Sequence, residues 1–195
     1  MKINQKCEDK TDEELARLAT EDQAYFLCII NRYQEKLLYY IRRISNVGIE
    51  ESEDILQDVF IKVYKNLNDF DADLKFSSWI YRITHNQVIS NFRKIQARPQ
   101  NAGVDLSDDS YLKLASDLDI EYEINNKLLR KNIYQILNSM DKKYKDVLVL
   151  KFFEEKDYKE ISDILKIPMG TVASLINRAK KKFRYDCEKQ NIEII

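Results

Sequence analysis

Residues 157–184, DYKEISDILKIPMGTVASLINRAKKKFR, read as two short helices joined by a tight turn, the second running into a basic stretch. Apolar Ile161, Leu165, Ile167, Val172 and Leu175 recur where two such helices press together, and Ser162 is small where they cross. Asp157 and Glu160 form a D-x-x-E start signal: the aspartate takes an orphan backbone N–H and the glutamate reaches back. Pro168 stops the first helix and suits the opening of the second. On that second helix, 3.6-residue spacing puts Val172, Leu175, Ile176, Ala179 and Phe183 inside. It leaves Ala173, Ser174, Asn177, Arg178 and Lys181 outside, flanked by Thr171 and Lys182. Small residues there let a helix approach a major groove, Asn and Arg make paired hydrogen bonds to base edges, and lysines suit phosphates. The pattern is that of a DNA-reading helix-turn-helix, although a helical hairpin with a solvated basic face would carry the same charges.

The chain has 195 residues with only three Gly and two Pro, and a third of its residues are charged, which suits a helix-rich protein of one or two domains. A formal net charge of −1 conceals segregation. Residues 74–104 hold no acid but include Lys75, Arg82, Arg93, Lys94 and Arg98, and residues 166–184 are again acid-free and basic. The acids gather before Asp22 and over 105–123. Two basic patches separated by an acidic strip point to two DNA-contacting modules.

No apolar run approaches membrane-spanning length and the N-terminus lacks a signal-peptide core, so a cytoplasmic protein is expected, without membrane insertion. Cys7, Cys28 and Cys187 show no C-x-x-C spacing and no histidine partner, which favours reduced structural thiols over a disulfide or zinc site. The one histidine, His85, has no adjacent Ser, Cys or carboxylate constellation in the sequence, and no glycine-rich phosphate loop occurs. No enzyme, cofactor, metal or small-molecule substrate is expected.

Outward from the opening stretch, hydrophobic periodicity predicts further helices. Thr11 to Glu14 is a capping box. A helix follows over about 22–45, with Phe26, Ile30, Tyr33, Leu37, Tyr40 and Ile44 as its stripe, and Gly48 ends the pattern. The next begins near Ser52, with rows Ile55, Val59, Val63, Leu67 and Leu56, Phe60, Tyr64. Its other side, Asp54, Gln57, Asp58, Ile61, Lys62 and Lys65, is left for solvent or a partner. A fourth helix, about 77–97, carries Trp79, Ile80, Ile83, Val88, Ile89 and Phe92; an indole among such neighbours reads as core. Residues 98–123 lack a helical stripe and read as a flexible acidic linker. Periodicity returns with Ile124, Leu128, Ile133, Ile136 and Leu137 and runs through Val147, Leu148, Leu150 and Phe152. The expected fold is therefore all-α: two small helical domains, 10–97 and 124–190, joined by the linker, the second containing the helix-turn-helix.

Three stretches together carry a family resemblance: EDILQDVFIKVYKNL (53–67), FSSWIYRITHNQVISNFRK (76–94) and MDKKYKDVLVLKFFEEKDYKEISDILKIPMGTVASLINRAKKKFR (140–184). In order and spacing the chain resembles bacterial RNA polymerase sigma factors of the small, two-domain extracytoplasmic-function group, over about residues 22–188. The resemblance implies that the first domain binds core RNA polymerase and the promoter −10 element, that the second binds the −35 element, and that the protein positions polymerase and helps open the duplex without catalysis of its own. An anti-sigma factor is left open as a further partner.

The resemblance also assigns residues. Asp54, Gln57, Asp58, Ile61 and Lys62 correspond to the face that docks on a coiled coil of the largest polymerase subunits. Phe70, Asp71 and Asn86 correspond to the part that captures an unstacked −10 base, for which a pocket needs an apolar wall and a few hydrogen-bonding groups. The alternative at those positions is an aromatic that packs its loop and a surface amide. Lys75, Arg82, Arg93 and Lys94 suit phosphate or single-strand contact. Thr171, Ala173, Ser174, Asn177, Arg178, Lys181 and Lys182 correspond to the −35 contacts. The linker's acids, in relatives, thread a basic polymerase channel; a passive tether is the other reading.

Three positions depart from the family pattern. Lys166 stands where the turn usually has Gly, so a left-handed non-glycine residue is expected, at a cost of roughly 1 kcal/mol. Met140-Asp141 replaces Leu-Pro, and Ala173 replaces a residue that is often basic. The competing class is a stand-alone helix-turn-helix regulator whose first domain senses a ligand or dimerises; an adaptor or anti-sigma protein would leave two basic surfaces unexplained.

Overall fold

The computed structural model describes residues 7–71, 74–96, 120–190 and 192. Among them every regular element is helical. Helix α1 (Asp12–Glu21) opens on the expected capping box, Thr11 accepting from the Glu14 backbone and Glu14 from that of Thr11. Helix α2 (Ala24–Ser45) begins where the Asp22 carboxylate accepts from the Ala24 N–H, and it ends at Asn46, in the left-handed region with φ 60°. Helix α3 (Ile49–Lys65) starts three residues earlier than Ser52, because Gly48 is its N-cap and Ser52 is a buried first-turn residue donating to the Gly48 carbonyl. A 3-10 turn (Leu67–Asp69) leads to α4 (Phe76–Gln96), whose first N–H is accepted by Glu13 of α1 at 2.9 Å.

These helices enclose Leu15, Ile29, Leu37, Tyr40, Ile41, Val59, Val63, Phe76 and Ile80, all essentially solvent-free. Each such side chain contributes about 1.5–3 kcal/mol. Trp79 belongs to this core as expected, packed with Phe70 and Phe76 at centroid distances of 5.4 and 5.5 Å.

The thiol expectation is overturned for one pair. Cys7 and Cys28 form a disulfide with a Cα–Cα distance of 5.8 Å, and Cys187 alone is free among the described residues. The turn before α1 doubles back along α2, where Arg32 donates to the Cys7 carbonyl and to Asp12. A separation of 21 residues has no motif to announce it. Closing a loop of that length contributes about 3 kcal/mol in the chain-entropy picture.

The second half comprises α5 (Ile120–Ser139), α6 (Lys142–Leu148), a π turn (Val149–Phe153), α7 (Tyr158–Leu165) and α8 (Met169–Lys189). The π turn interrupts the expected helix and rotates the residues beyond it, so Phe152 is 55% exposed rather than core. The α7 capping box is present as expected, with Asp157 and Glu160 reciprocally bonded. Lys166 adopts the left-handed conformation expected of it, φ 55° and ψ 45°. Ser162 closes the turn by donating to the Ile167 carbonyl at 2.6 Å. The linker reading over 98–123 lies outside the described residues except for the backbone of 120–123, which opens α5.

The two halves pack on each other, α4 against α7 and α2 against α6 and the π turn. This contact contains His85, whose Nδ1 lies 3.1 Å from the Tyr40 hydroxyl and whose Nε2 lies 3.7 Å from Asp146 of α6. Burial pushes His85 down to about 4 and Asp146 up to about 6, the latter resisted by Lys142 and Lys145. One Asp146 oxygen has no hydrogen-bond partner.

Because the folded-state value of Asp146 is raised above 3.8, its protonated form supports folding and that support is lost as pH rises through about 6. His85, depressed below 6.5, is neutral in folded and unfolded chains at pH 7.5 and adds nothing there. Asp146→Asn is therefore expected to stabilise the protein by roughly 2 kcal/mol at pH 7.5, with a gain about 1 kcal/mol smaller at pH 5. Denaturant unfolding at the two pH values checks this; an equal gain at both would exclude a buried, ionised Asp146.

Candidate nucleic-acid interface

The outer face of α8 follows from its register. Val172, Ile176 and Ala179 are buried against α6 and α7, with Leu175 and Phe183 half-buried beside them. Thr171, Ser174, Asn177, Arg178, Lys181 and Lys182 are exposed and Ala173 is half-buried. All seven expected residues thus share one side of the helix. The Ser174 hydroxyl donates to the Thr171 carbonyl at 2.9 Å and keeps its lone pairs for an incoming donor. Lys182 is less free than its sequence position suggests: Asp186 one turn on binds it at 2.8 Å, and that hydrogen bond raises its pKa.

A second set lies along the 3-10 turn and α4. Phe70 is half-buried and stacks edge-on against Phe76 at 5.2 Å, so it packs the loop onto the core. Asn86 is exposed, two helical turns from Trp79 on the same side, about 10 Å along the axis. Asp71, Lys75, Arg93 and Lys94 are exposed and Arg82 is half-buried. Lys75 faces the second half, with Asp157 at 3.4 Å and Glu160 at 3.6 Å; Glu160 foremost holds its ammonium above the usual lysine range.

The third set is on α3. Asp54, Gln57 and Ile61 are exposed, Ile61 to 52%. Asp58 and Lys62, also exposed, are tied inward: Asp58 accepts from the buried Gln87 amide at 2.7 Å, and Lys62 donates to the Gln87 carbonyl oxygen. Two of the five expected contacts therefore also brace α3 on α4. Periodicity places Gln87 on no face of interest, and only its buried amide reveals the link.

One apolar surface has no counterpart among the sequence expectations. A groove of about 600 Å³ runs between Ile133 and Leu137 of α5, Phe152 and Phe153 of the π turn, and Phe183 of α8. Its signal in the sequence is the doublet Phe152-Phe153, which an uninterrupted helix would turn toward the core.

The arrangement matches known proteins in both halves. Residues 29–98 match the family model described as Sigma-70 region 2, and residues 130–183 that described as Sigma-70, region 4. The chain is 35% identical over 172 residues to ECF RNA polymerase sigma factor SigW of Bacillus subtilis, covering 84% of this chain and 89% of the relative. The chain belongs to the ECF sigma factors. It is also 29% identical over 182 residues to the ECF RNA polymerase sigma-E factor of Escherichia coli, covering 89% of this chain and 93% of that one. Among solved structures, CnrH in complex with the cytosolic domain of CnrY shares the fold at a TM-score of 0.69 and 21% identity, over 92% of this chain and 99% of that chain. RpoE of Bartonella quintana, in complex with the anti-sigma factor NepR, does so at 0.62 and 16%, over 87% and 98%.

As a sigma factor, this protein binds core RNA polymerase and directs promoter-specific initiation. The stand-alone regulator is set aside, because a region 2 domain precedes the helix-turn-helix and the relatives match across both. No helix among the described residues is long and apolar enough to cross a membrane.

Proposed function

We propose that the three exposed faces divide the work of initiation. The α8 face reads the −35 element, with Ser174, Asn177 and Arg178 on base edges beside Thr171 and Ala173, and with Lys181 and Lys182 on phosphates. The loop over 68–75 with Asn86 selects a base of the −10 element from the strand freed by opening, while Lys75, Arg82, Arg93 and Lys94 hold its backbone. Asp54, Gln57 and Ile61 dock core polymerase, assisted by Asp58 and Lys62. The domains follow these duties, 10–97 for polymerase and −10, 124–190 for −35, with the acidic 98–123 segment threading a basic channel between them. The protein works in the cytoplasm, and an anti-sigma factor is its regulatory partner, in keeping with the company in which a fold relative was captured.

The observation that carries this reading is the acid-free, exposed α8 face on a helix whose opposite side buries Val172, Ile176 and Ala179. Its least obvious part is the −10 pocket. Flipping a base costs a few kcal/mol, so the pocket must return that energy through Phe70 and Asn86 in a base-dependent way. Exchanging residues 68–75 for the loop of a differently specific relative is expected to change −10 preference on fork templates and leave −35 preference alone, and Asn86→Ala to flatten −10 preference about tenfold. If both variants select the same −10 sequence as the parent, Phe70 and Asn86 are structural.

A further inference from the structure

The turn at residues 7–10 is tied to α2 by the Cys7–Cys28 disulfide and by Arg32, which donates to the Cys7 carbonyl and, at 2.7 Å, to Asp12. Asp12 opens α1 and also accepts from the Tyr33 hydroxyl, and the next residue, Glu13, accepts the first N–H of α4, that of Phe76, at 2.9 Å. Helix α1 packs along the 3-10 turn (Leu67–Asp69) as well as on α2. Phe76 in turn meets Phe70 edge-on at 5.2 Å and Tyr33 at 5.8 Å. A continuous path therefore runs from the disulfide through α1 to the loop and helix start assigned above to the −10 base. Helix α1 is weakly anchored by itself: it has ten residues, below the length at which a helix persists alone in water, and its buried side chains are Leu15, Ala16 and Ala19. Its place depends on what ties its ends.

We propose that Cys7 and Cys28 form a reversible thiol–disulfide switch: oxidation clamps α1 onto α2 and steadies the −10 loop, and reduction releases it. The inference rests on the functional reading above, which places the chain in the cytoplasm beside RNA polymerase. There small thiols keep cysteines reduced, and a disulfide that forms is as a rule transient and redox-sensing. The pair meets the geometric need, since Cα atoms 5.8 Å apart lie within the usual disulfide range. Both residues are covered when joined, Cys7 at 8% exposure and Cys28 at 2%, while Glu8 and Asp9 beside Cys7 face solvent. Lifting the turn off α2 uncovers Cys7 without unwinding the helix that carries Cys28. The Cys7 thiolate then attacks a low-molecular-weight disulfide, forming a mixed disulfide and expelling one small thiol. The Cys28 thiolate attacks the Cys7 sulfur and expels the second. Two protein thiols lose two electrons and two protons, and the external disulfide is reduced to two thiols. Excess small thiol runs the same steps in reverse.

The full chain is oxidised with glutathione disulfide or reduced with dithiothreitol, freed of reagent and divided among three measurements. Alkylation followed by intact mass counts thiols: three in the reduced chain and one, Cys187, in the oxidised. Amide hydrogen exchange at Phe76 is expected to be about tenfold slower in the oxidised form. Bound to core polymerase, that form is expected to hold a labelled −10 strand about fivefold more tightly, with −35 duplex affinity changed less than twofold. Cys7→Ser and Cys28→Ala, each with unchanged helicity, are expected to behave as the reduced chain under both treatments. Glu13→Ala is expected to keep the disulfide and lose the redox dependence of −10 binding. A chain that still takes three labels after oxidation would overturn the proposal. So would equal −10 affinity in two forms that both prefer the −10 sequence, the mark of a passive staple. Redox dependence that survives in Glu13→Ala would overturn the route through α1. Phe76 exchange that follows the disulfide while neither form prefers any −10 sequence upholds the clamp and rejects the −10 reading beneath it.

Discussion

Core RNA polymerase is expected to bind about a thousandfold more weakly to the variant Asp54→Lys/Ile61→Asp, with helicity unchanged. Ile61 is half-exposed on a helix whose Ile55, Val59 and Val63 row is already buried, so it presents an apolar side chain that a partner can cover. Placing a carboxylate there leaves a charge without a partner in the contact, and reversing Asp54 adds a repulsive pair; losses of about 2 kcal/mol each sum to about 4. Asp58 is deliberately spared. Its bond to Gln87 means that reversing it would loosen α3 from α4 and confuse folding with binding. Titration of labelled core polymerase measures the effect, and affinity within threefold of the parent would remove this face from the contact.

Asn177→Ala/Arg178→Ala is expected to lower affinity for a matched −35 duplex by about 4 kcal/mol, again near a thousandfold, and to erase preference over a scrambled duplex. Both side chains are exposed one step apart on the α8 face, and neither contributes to the core. Lys181→Ala should instead weaken matched and scrambled DNA alike and shallow the salt dependence by about one charge. Lys182→Ala should do so less, because Asp186 already neutralises that ammonium. Competition binding at two salt concentrations separates these outcomes; equal losses on both duplexes for the double variant would reassign it to phosphates.

Most of this architecture is legible in the sequence because it is local. Capping boxes at Thr11 and Asp157 and the Pro168 boundary are physics of a few neighbouring residues, and each stands where the residues place it; the 3.6-residue stripes hold along most of their length, with Tyr64 and Phe92 turned to solvent. The left-handed Lys166 is legible for the same reason. What escapes is non-local or geometric. Cys7 meets Cys28 only because a turn doubles back on α2. The π turn changes register without changing composition, which is why Phe152 faces out. The His85 and Asp146 pair, 61 positions apart in the chain, exists only because the two halves pack on each other. Of the candidate sites, the α8 face is readable in full because one helix carries it, whereas the ties of Asp58 and Lys62 to Gln87 and of Lys75 to α7 need the fold.

Promoter-directed transcription is the measurement that bears most directly on the central claim. Bacterial core polymerase, the purified chain and a pool of templates with randomised −10 and −35 positions are combined, and run-off transcripts are sequenced. The expected result is initiation only when the chain is added, enriched for one −35 sequence and one −10 sequence at fixed spacing, with the −35 signature lost in Asn177→Ala/Arg178→Ala and the −10 signature kept. Transcription that is independent of the chain, or that shows no sequence enrichment when it is present, would contradict the account.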